Sequence, residues 1–225
     1  MAPALLKVCG LTTIADLRVA QAAGADFLGV VVESPPSPRS LTLAQAGVLA
    51  RLAPNIVIVT VCEDPKRLRA WAQQMRPRAL QLHGPHAVRV ARELAGATSV
   101  WVAVGLPAAG GDAEMVLATI AEAAAAGVEM VVLDSSVGGH TGGTGQQTDW
   151  ALAARIVAAS PLPVLLAGGI GPDSAAAALE QVRPAGLDAS SRLESSPGRK
   201  APDRVHALAR IVRAANAGNA GLAGP

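Results

Sequence analysis

The chain has 225 residues and a net charge of +2, with 51% apolar and 16% charged residues. Low charge with high apolar content excludes a disordered chain, and no apolar run reaches the roughly 18 residues that a membrane span requires. The small net charge, without a basic stripe, excludes a general nucleic-acid-binding surface, and two cysteines are too few for a disulfide framework. Because the N-terminus lacks the pattern of a signal peptide, we expect a cytoplasmic protein.

Short apolar runs alternate along the chain with longer alanine-rich stretches that carry arginine, glutamate and glutamine. Each run is apolar at consecutive positions, which is typical of a strand buried on both faces of a parallel sheet. The predicted strands cover residues 5–8, 27–32, 56–61, 79–82, 100–104, 130–133, 164–167 and 187–189. The predicted helices cover residues 13–23, 41–53, 65–75, 86–95, 112–126, 148–158, 172–182 and 201–215.

A repeat of strand, loop, helix and turn, about 25 residues long, predicts the fold class. We expect an α/β protein with a single-domain (β/α)8 TIM barrel over residues 1–216 and a flexible tail over 217–225. A doubly wound sheet is the alternative, but its glycine-rich first turn does not match Cys9-Gly-Leu-Thr12. In TIM barrels the active site lies at the C-terminal ends of the strands, so the candidates are the residues after each apolar run.

Two residues at predicted strand ends can exchange protons. Cys9 follows the first strand, and its thiol is either a base activated by a nearby cation or a small buried apolar group. Asp134 follows the sixth strand, where a desolvated carboxyl group suits a general acid, although an aspartate there can also cap a turn. The glycine-rich loop that follows, from Gly138 to Gly145, indicates a mobile lid or a close approach of backbone to ligand.

Other strand ends offer groups that bind anions. Arg39 follows three prolines after the second strand and can bind a carboxylate or phosphate, or remain a solvated charge. His83 follows the fourth strand as an acid, a base or a structural group. The histidines show no metal-ligand spacing, so we expect no metal. Small residues follow the last two strands, where this fold often binds phosphate: Gly168, Gly169, Ser190 and Ser191.

These strand-end residues belong to short motifs in a fixed order. The motifs are Lys7-Val-Cys-Gly10, Ser37-Pro-Arg39, Gln81-Leu-His-Gly84, Leu133-Asp-Ser135, Gly142-Gly-Thr-Gly145 with Asp149-Trp150, Ala167-Gly-Gly169, and Asp188-Ala-Ser-Ser191 with Glu194 and Pro197-Gly198. Together they resemble the phosphoribosylanthranilate isomerase family of tryptophan biosynthesis over nearly the whole chain.

The resemblance implies an Amadori rearrangement of N-(5-phosphoribosyl)anthranilate to 1-(o-carboxyphenylamino)-1-deoxyribulose 5-phosphate, without a cofactor. It implies Cys9 as the general base, Asp134 as the general acid and Arg39 at the anthranilate carboxylate. The implied partner is this phosphorylated small molecule, and either a monomer or a homodimer remains open. The further substrate-binding residues implied are His83, Gly143, Gly168, Gly169, Ser190, Ser191 and Arg192.

The chain departs from the family pattern at several positions. Arg192 stands where glycine usually follows the paired serines, and it either narrows the phosphate pocket or supplies a cation to it. Gln146 stands where a basic residue is common, and the aromatic residues usual after the second and third strands are missing.

Other functions compete with this interpretation. One is a non-catalytic paralogue that binds a phosphorylated ligand, and another is an isomerase of a different aminosugar phosphate. The related isomerase of histidine biosynthesis uses aspartates at both strand ends, which Cys9 opposes. A sugar-phosphate epimerase needs metal-ligating rim residues, and a synthase needs rim lysines, but the chain has only three lysines.

Overall fold

The eight apolar runs form one closed parallel barrel in the computed structural model of the protein. The structure describes residues 2–35, 37–106, 111–134 and 149–221. Strands pair in chain order, and the last strand closes the barrel on the first with Lys7 beside Asp188. The strands are β1 (Leu5–Val8), β2 (Phe27–Val31), β3 (Ile56–Thr60), β4 (Ala79–Leu82), β5 (Val100–Gly105), β6 (Met130–Asp134), β7 (Val164–Ala167) and β8 (Gly186–Ala189).

A helix follows each strand, so the predicted (β/α)8 barrel is confirmed. None of the helices within the described ranges is both long and apolar enough to cross a membrane. The helices are α1 (Ile14–Ala22), α2 (Leu43–Ala50), α3 (Pro65–Met75), α4 (Ala87–Leu94), α5 (Ala113–Ala125), α6 (Trp150–Ala159), α7 (Ala175–Val182) and α8 (Pro202–Gly221).

Several helices begin at residues that cap or favour a helix start. The hydroxyl of Thr13 accepts a hydrogen bond of 3.1 Å from the backbone N–H of Asp16 at the start of α1. Thr42 forms a capping box with Gln45 before α2, and Pro65 occupies the first turn of α3, where its missing N–H removes no helical hydrogen bond. These caps satisfy backbone donors that would otherwise lack partners.

Three helix boundaries differ from the prediction by three residues or more, and the first is the end of α2 at Ala50 rather than at residue 53. Helix α7 begins at Ala175 rather than at residue 172, because the Gly171 N–H donates to the Ser174 hydroxyl at 3.1 Å and holds the preceding residues in a turn. Helix α8 continues to Gly221 instead of ending at residue 215. The Asn216 side chain accepts from the Ala4 N–H at 2.7 Å and donates to its carbonyl at 3.0 Å, which ties this part of α8 to the chain's beginning.

A small hairpin between β8 and α8 was not predicted. A 3₁₀ turn at Ser191–Leu193 leads into β9 (Glu194–Ser196), which pairs antiparallel with β10 (Arg199–Lys200). The Thr12 hydroxyl donates to the Gly198 carbonyl at 2.6 Å, so the hairpin packs against the loop after β1. The hairpin thereby brings Glu194 and Lys200 to the C-terminal end of the barrel.

The apolar core has two layers. The larger layer lies between the strands and the helices, and the smaller one fills the barrel interior. At the N-terminal end of the interior, the rings of Phe27 and Trp101 meet edge to face with centroids 4.7 Å apart. This end of the barrel is closed by apolar packing, whereas polar side chains occupy the other end.

Candidate active site at the C-terminal end of the barrel

The predicted proton-transfer residues lie on two different strands at the C-terminal end of the barrel. Cys9 directly follows β1 and packs against the interior cluster. Asp134 is the last residue of β6, is half-buried, and influences His83 by its charge. Since β8 and β7 separate β1 from β6 around the barrel, the two side chains approach its mouth from different directions.

The Cys9 sulfur rests against the backbone of β2. A Cβ atom at Gly29 would lie 2.7 Å from this sulfur, so only glycine leaves room for it there. Burial raises the pKa of the Cys9 thiol above its ordinary value, and the positive charge of Lys7 opposes this rise. Cys62 also carries a free thiol, but it packs against the layer between strands and helices rather than the interior.

A buried ion pair lies below Cys9 in the barrel. The Lys7 ammonium is fully buried, and its Nζ lies 2.7 Å from Oδ2 of Asp188. The other carboxylate oxygen of Asp188, Oδ1, is buried and has no hydrogen-bond partner among the described residues. The sequence motifs that contain Lys7 and Asp188 do not predict a role for either side chain. Their pairing depends on strands at opposite ends of the chain.

His83 lies in the same interior environment on the β4 side. Burial lowers the pKa of His83, and the charge of Asp134 only partly opposes this effect, so the imidazole is neutral at neutral pH. The Gln81 side-chain nitrogen lies 2.9 Å from His83 Nε2. If the amide donates in this contact, the proton of His83 resides on Nδ1.

Arg39 is held by a partner that the sequence did not predict. Its Nε donates to Glu194 Oε1 and one terminal nitrogen donates to Oε2, both at 2.7 Å. Lys200 Nζ also donates to Glu194 Oε1 at 2.9 Å and to the Ser190 carbonyl at 3.1 Å. Because a guanidinium has five N–H donors, Arg39 keeps further donors beyond those that fix its position.

The loop after β1 fits closely against this cluster. Gly10 has φ of +75°, and a Cβ there would lie 2.5 Å from Arg39 Cδ and 2.8 Å from Ser190 Oγ. A larger residue would therefore displace both side chains. This contact connects the loop that carries Cys9 to the residues predicted to bind the substrate's two anionic groups.

The predicted phosphate-binding residues lie next to one another at the ends of β7 and β8. Gly168 and Gly169 both have positive φ, which turns the backbone directly after β7. Ser190 is half-buried, and the exposed Ser191 begins the 3₁₀ turn.

Arg192 joins the loop after β8 to the loop after β7 through an ion pair. Its side chain is 56% exposed, and a terminal nitrogen lies 2.6 Å from Oδ2 of Asp173, which is 62% exposed. The charge of Arg192 is thus directed toward the loop after β7.

Part of the predicted site lies outside the described residues. Residues 135–148, which include Gly143, Gln146 and the glycine-rich loop, are outside the part of the chain that the structure describes. Elsewhere in the described ranges, no group of three or more His, Cys, Asp and Glu side chains is arranged to hold a metal ion.

Comparisons with known proteins identify relatives over almost the whole chain. A family model described as N-(5'phosphoribosyl)anthranilate (PRA) isomerase matches residues 6–210. An N-(5'-phosphoribosyl)anthranilate isomerase from Deinococcus radiodurans is 38% identical over 214 residues, which cover 92% of this chain and 96% of that protein.

Solved structures agree with the sequence relatives. The phosphoribosyl anthranilate isomerase from Thermotoga maritima is 28% identical, has a TM-score of 0.81, and is matched over 94% of this chain and 99% of its own. A structure of a phosphoribosyl anthranilate isomerase in complex with reduced 1-(o-carboxyphenylamino)-1-deoxyribulose 5-phosphate has a TM-score of 0.78 at 26% identity over 94% of this chain and 99% of that chain. The chain therefore belongs to the N-(5'-phosphoribosyl)anthranilate isomerase family.

Proposed function

We propose that the protein converts N-(5-phosphoribosyl)anthranilate into 1-(o-carboxyphenylamino)-1-deoxyribulose 5-phosphate in tryptophan biosynthesis. The observation that carries this function is membership of the isomerase family together with a thiol and a carboxyl group at the mouth of one barrel. The rearrangement moves two hydrogens within one molecule: C1′ is reduced and C2′ is oxidised. It therefore needs an acid and a base but no external oxidant.

Asp134 acts first, as the general acid. It donates a proton to the ring oxygen of the ribose while the bond from that oxygen to C1′ breaks. The anilino nitrogen supplies the electron pair, which leaves a protonated Schiff base at C1′. A positioned acid contributes typically about 10²–10⁴-fold to such a step.

Cys9 acts second, as the general base. Its thiolate takes the proton from C2′, and the electron pair of that C–H bond forms the double bond between C1′ and C2′. The electrons of the Schiff base return to nitrogen and give an enolamine. This intermediate becomes the ketone when C1′ gains a proton and the C2′ hydroxyl loses one.

The anionic groups of the substrate orient it between these two residues. Arg39, fixed by Glu194, binds the anthranilate carboxylate with its remaining N–H donors. The residues after β7 and β8, Gly168, Gly169, Ser190 and Ser191, bind the phosphate, since this end of the fold commonly holds one with a short additional helix. His83 in neutral form and Gly143 are further substrate-binding residues, and Arg192 adds a cation near the phosphate.

An isomerase assay on the purified protein tests this function. Phosphoribosylanthranilate is generated in situ from anthranilate, and its fluorescence is followed as it is consumed. We expect turnover in the wild type and in a Cys62→Ala variant, because Cys62 faces away from the barrel interior. Absence of turnover while the reduced product analogue still binds would instead favour a binding paralogue or an isomerase of a different aminosugar phosphate.

A further inference from the structure

We propose that Lys7, with Asp188 as its counter-ion, is a positioning residue that keeps the Cys9 sulfur available as a thiolate. The proposal rests on the proposed function for the proton that Cys9 removes. The charge interaction between Lys7 and Cys9 is a property of the free protein, however, and is tested without substrate.

The geometry places the buried Lys7 side chain in the barrel interior, one strand repeat before Cys9. Lys7 and Cys9 are two residues apart on one chain segment, so both side chains point into the barrel. The Lys7 ammonium interacts with Cys9 by charge, which lowers the pKa of the thiol and raises that of the ammonium. The backbone of Gly29 lies against the sulfur on the β2 side and limits where the thiol can move.

Stability alone does not explain why Lys7 and Asp188 are buried as an ion pair. Lys7 is fully buried and its Nζ lies 2.7 Å from the Asp188 carboxylate. Removing two charges from water requires several kcal/mol per ion, and apolar residues of similar volume often stabilise a core equally well. A lysine at this position has a chemical consequence that an apolar residue would lack, because it places a positive charge next to the proposed base.

Four charged groups interact with Cys9, and among them Lys7 most strongly opposes the effect of burial on the pKa of the thiol. Burial raises the pKa of the Cys9 thiol; Lys7 on β1 lowers it, Asp188 on β8 raises it, and Lys200 on β10 lowers it. Arg39, from the loop after β2, also interacts with Cys9 by charge. Arg39 and Lys200 both donate to Glu194, so their charges are already partly balanced. After loss of Lys7, burial and Asp188 both favour the neutral thiol, and only the partly balanced charges of Lys200 and Arg39 oppose them.

The pH dependence of Cys9 alkylation tests the proposal. In a Cys62→Ser background, the rate of iodoacetamide modification is measured across the titration of the thiol for Lys7, Lys7→Met and Lys7→Arg. We expect the midpoint of the profile to move to higher pH in Lys7→Met and to stay near the wild-type midpoint in Lys7→Arg, which keeps the charge. The midpoint is the readout because a thiolate of higher pKa is also a stronger nucleophile, which partly offsets the loss of rate.

The pH profile of kcat/KM separates positioning from a purely structural role. If Lys7 acts through Cys9, Lys7→Met loses activity at neutral pH, by about tenfold for each unit that the Cys9 pKa rises, and regains it at higher pH. An unchanged alkylation midpoint, or an activity loss that is equal at every pH, would overturn the proposal.

A second variant keeps the test valid if Lys7→Met does not fold because Asp188 is left unpaired. Lys7→Met/Asp188→Asn removes both charges, and we still expect a higher midpoint, because the Lys7 effect on Cys9 exceeds that of Asp188. If the midpoint shifts in the variants but the wild-type protein shows no isomerase turnover, the role of Lys7 is supported and the proposed function is rejected. Turnover with an unmoved midpoint would do the reverse.

Discussion

The two ends of the barrel interior are built from the same strands but differ in chemistry. At the N-terminal end, Phe27 and Trp101 pack edge to face among apolar side chains. At the C-terminal end, Cys9, His83 and Asp134 surround the mouth, and the Lys7–Asp188 pair lies just below. Since successive strand residues alternate between the interior and the helices, every second residue of a strand faces the interior. Two such residues in succession can belong to the apolar core and to the site, respectively. Substitutions at the two ends should therefore change different properties.

The largest expected effect is the loss of turnover at the C-terminal end. Cys9→Ala and Asp134→Ala should each lower kcat by about 10²–10⁴-fold, since each removes one proton-transfer group. The assay of phosphoribosylanthranilate consumption measures this, with thermal unfolding as the test of folding. Turnover within tenfold of the wild type in either folded variant would remove that residue from the proposed mechanism.

A substitution at the N-terminal end should have the opposite result. Phe27→Ala removes the ring that packs against Trp101, and we expect the free energy of unfolding to fall by about 3 kcal/mol. The kcat of the folded protein should remain near the wild-type value. Urea denaturation and an assay below the unfolding transition measure the two quantities. A large fall in kcat with little loss of stability would contradict the division between the two ends.

Glu194 should affect both stability and substrate binding, because it fixes Arg39. Burial favours protonated Glu194, but hydrogen bonds from Arg39 and Lys200 outweigh this and lower the pKa of its carboxyl group. A lowered folded-state pKa contributes stability that is present above the unfolded pKa and lost as pH falls through the folded pKa. Glu194→Gln should remove this acid-sensitive contribution, lower the free energy of unfolding at neutral pH by about 1–3 kcal/mol and raise KM.

The matched control for Glu194→Gln is Glu129→Gln. Glu129 pairs with Arg78 on the surface, where both side chains are substantially exposed. Such a pair contributes at most about 1 kcal/mol. Denaturation curves across the acidic range, recorded for both variants, make the comparison. Equal effects of the two substitutions would mean that Glu194 does not hold Arg39 in solution.

The smallest expected effect is that of Arg192. Its ion pair with Asp173 is exposed, so Arg192→Gly should change the free energy of unfolding by less than about 1 kcal/mol. If the arginine adds a cation near the phosphate, KM should rise by less than about fivefold, and the rise should shrink in salt. Steady-state kinetics at two ionic strengths measure it, and a fall in KM would mean that the side chain narrows the pocket.

The sequence predicted the fold because each strand is a short run of consecutive apolar residues and many helices begin at a recognisable cap. It also predicted Cys9 and Asp134 at the strand ends, because a polar residue after a buried run is easily recognised. The hairpin of β9 and β10 was missed, since strands of two or three polar residues show no alternation. The bond between Arg39 and Glu194 joins residues 155 positions apart, and such a pairing depends on tertiary packing.

Chemical trapping of the Schiff base tests the division of labour between Cys9 and Asp134 most directly. Phosphoribosylanthranilate is mixed with an excess of each variant and with cyanoborohydride, which delivers hydride to C1′ of a protonated Schiff base, and the reduced adduct is measured by mass spectrometry. We expect more adduct with Cys9→Ala than without enzyme, because Asp134 still opens the ring and the C2′ proton stays in place. Asp134→Ala should give no more than the uncatalysed reaction. More adduct with Asp134→Ala than with Cys9→Ala would contradict the assignment of acid and base.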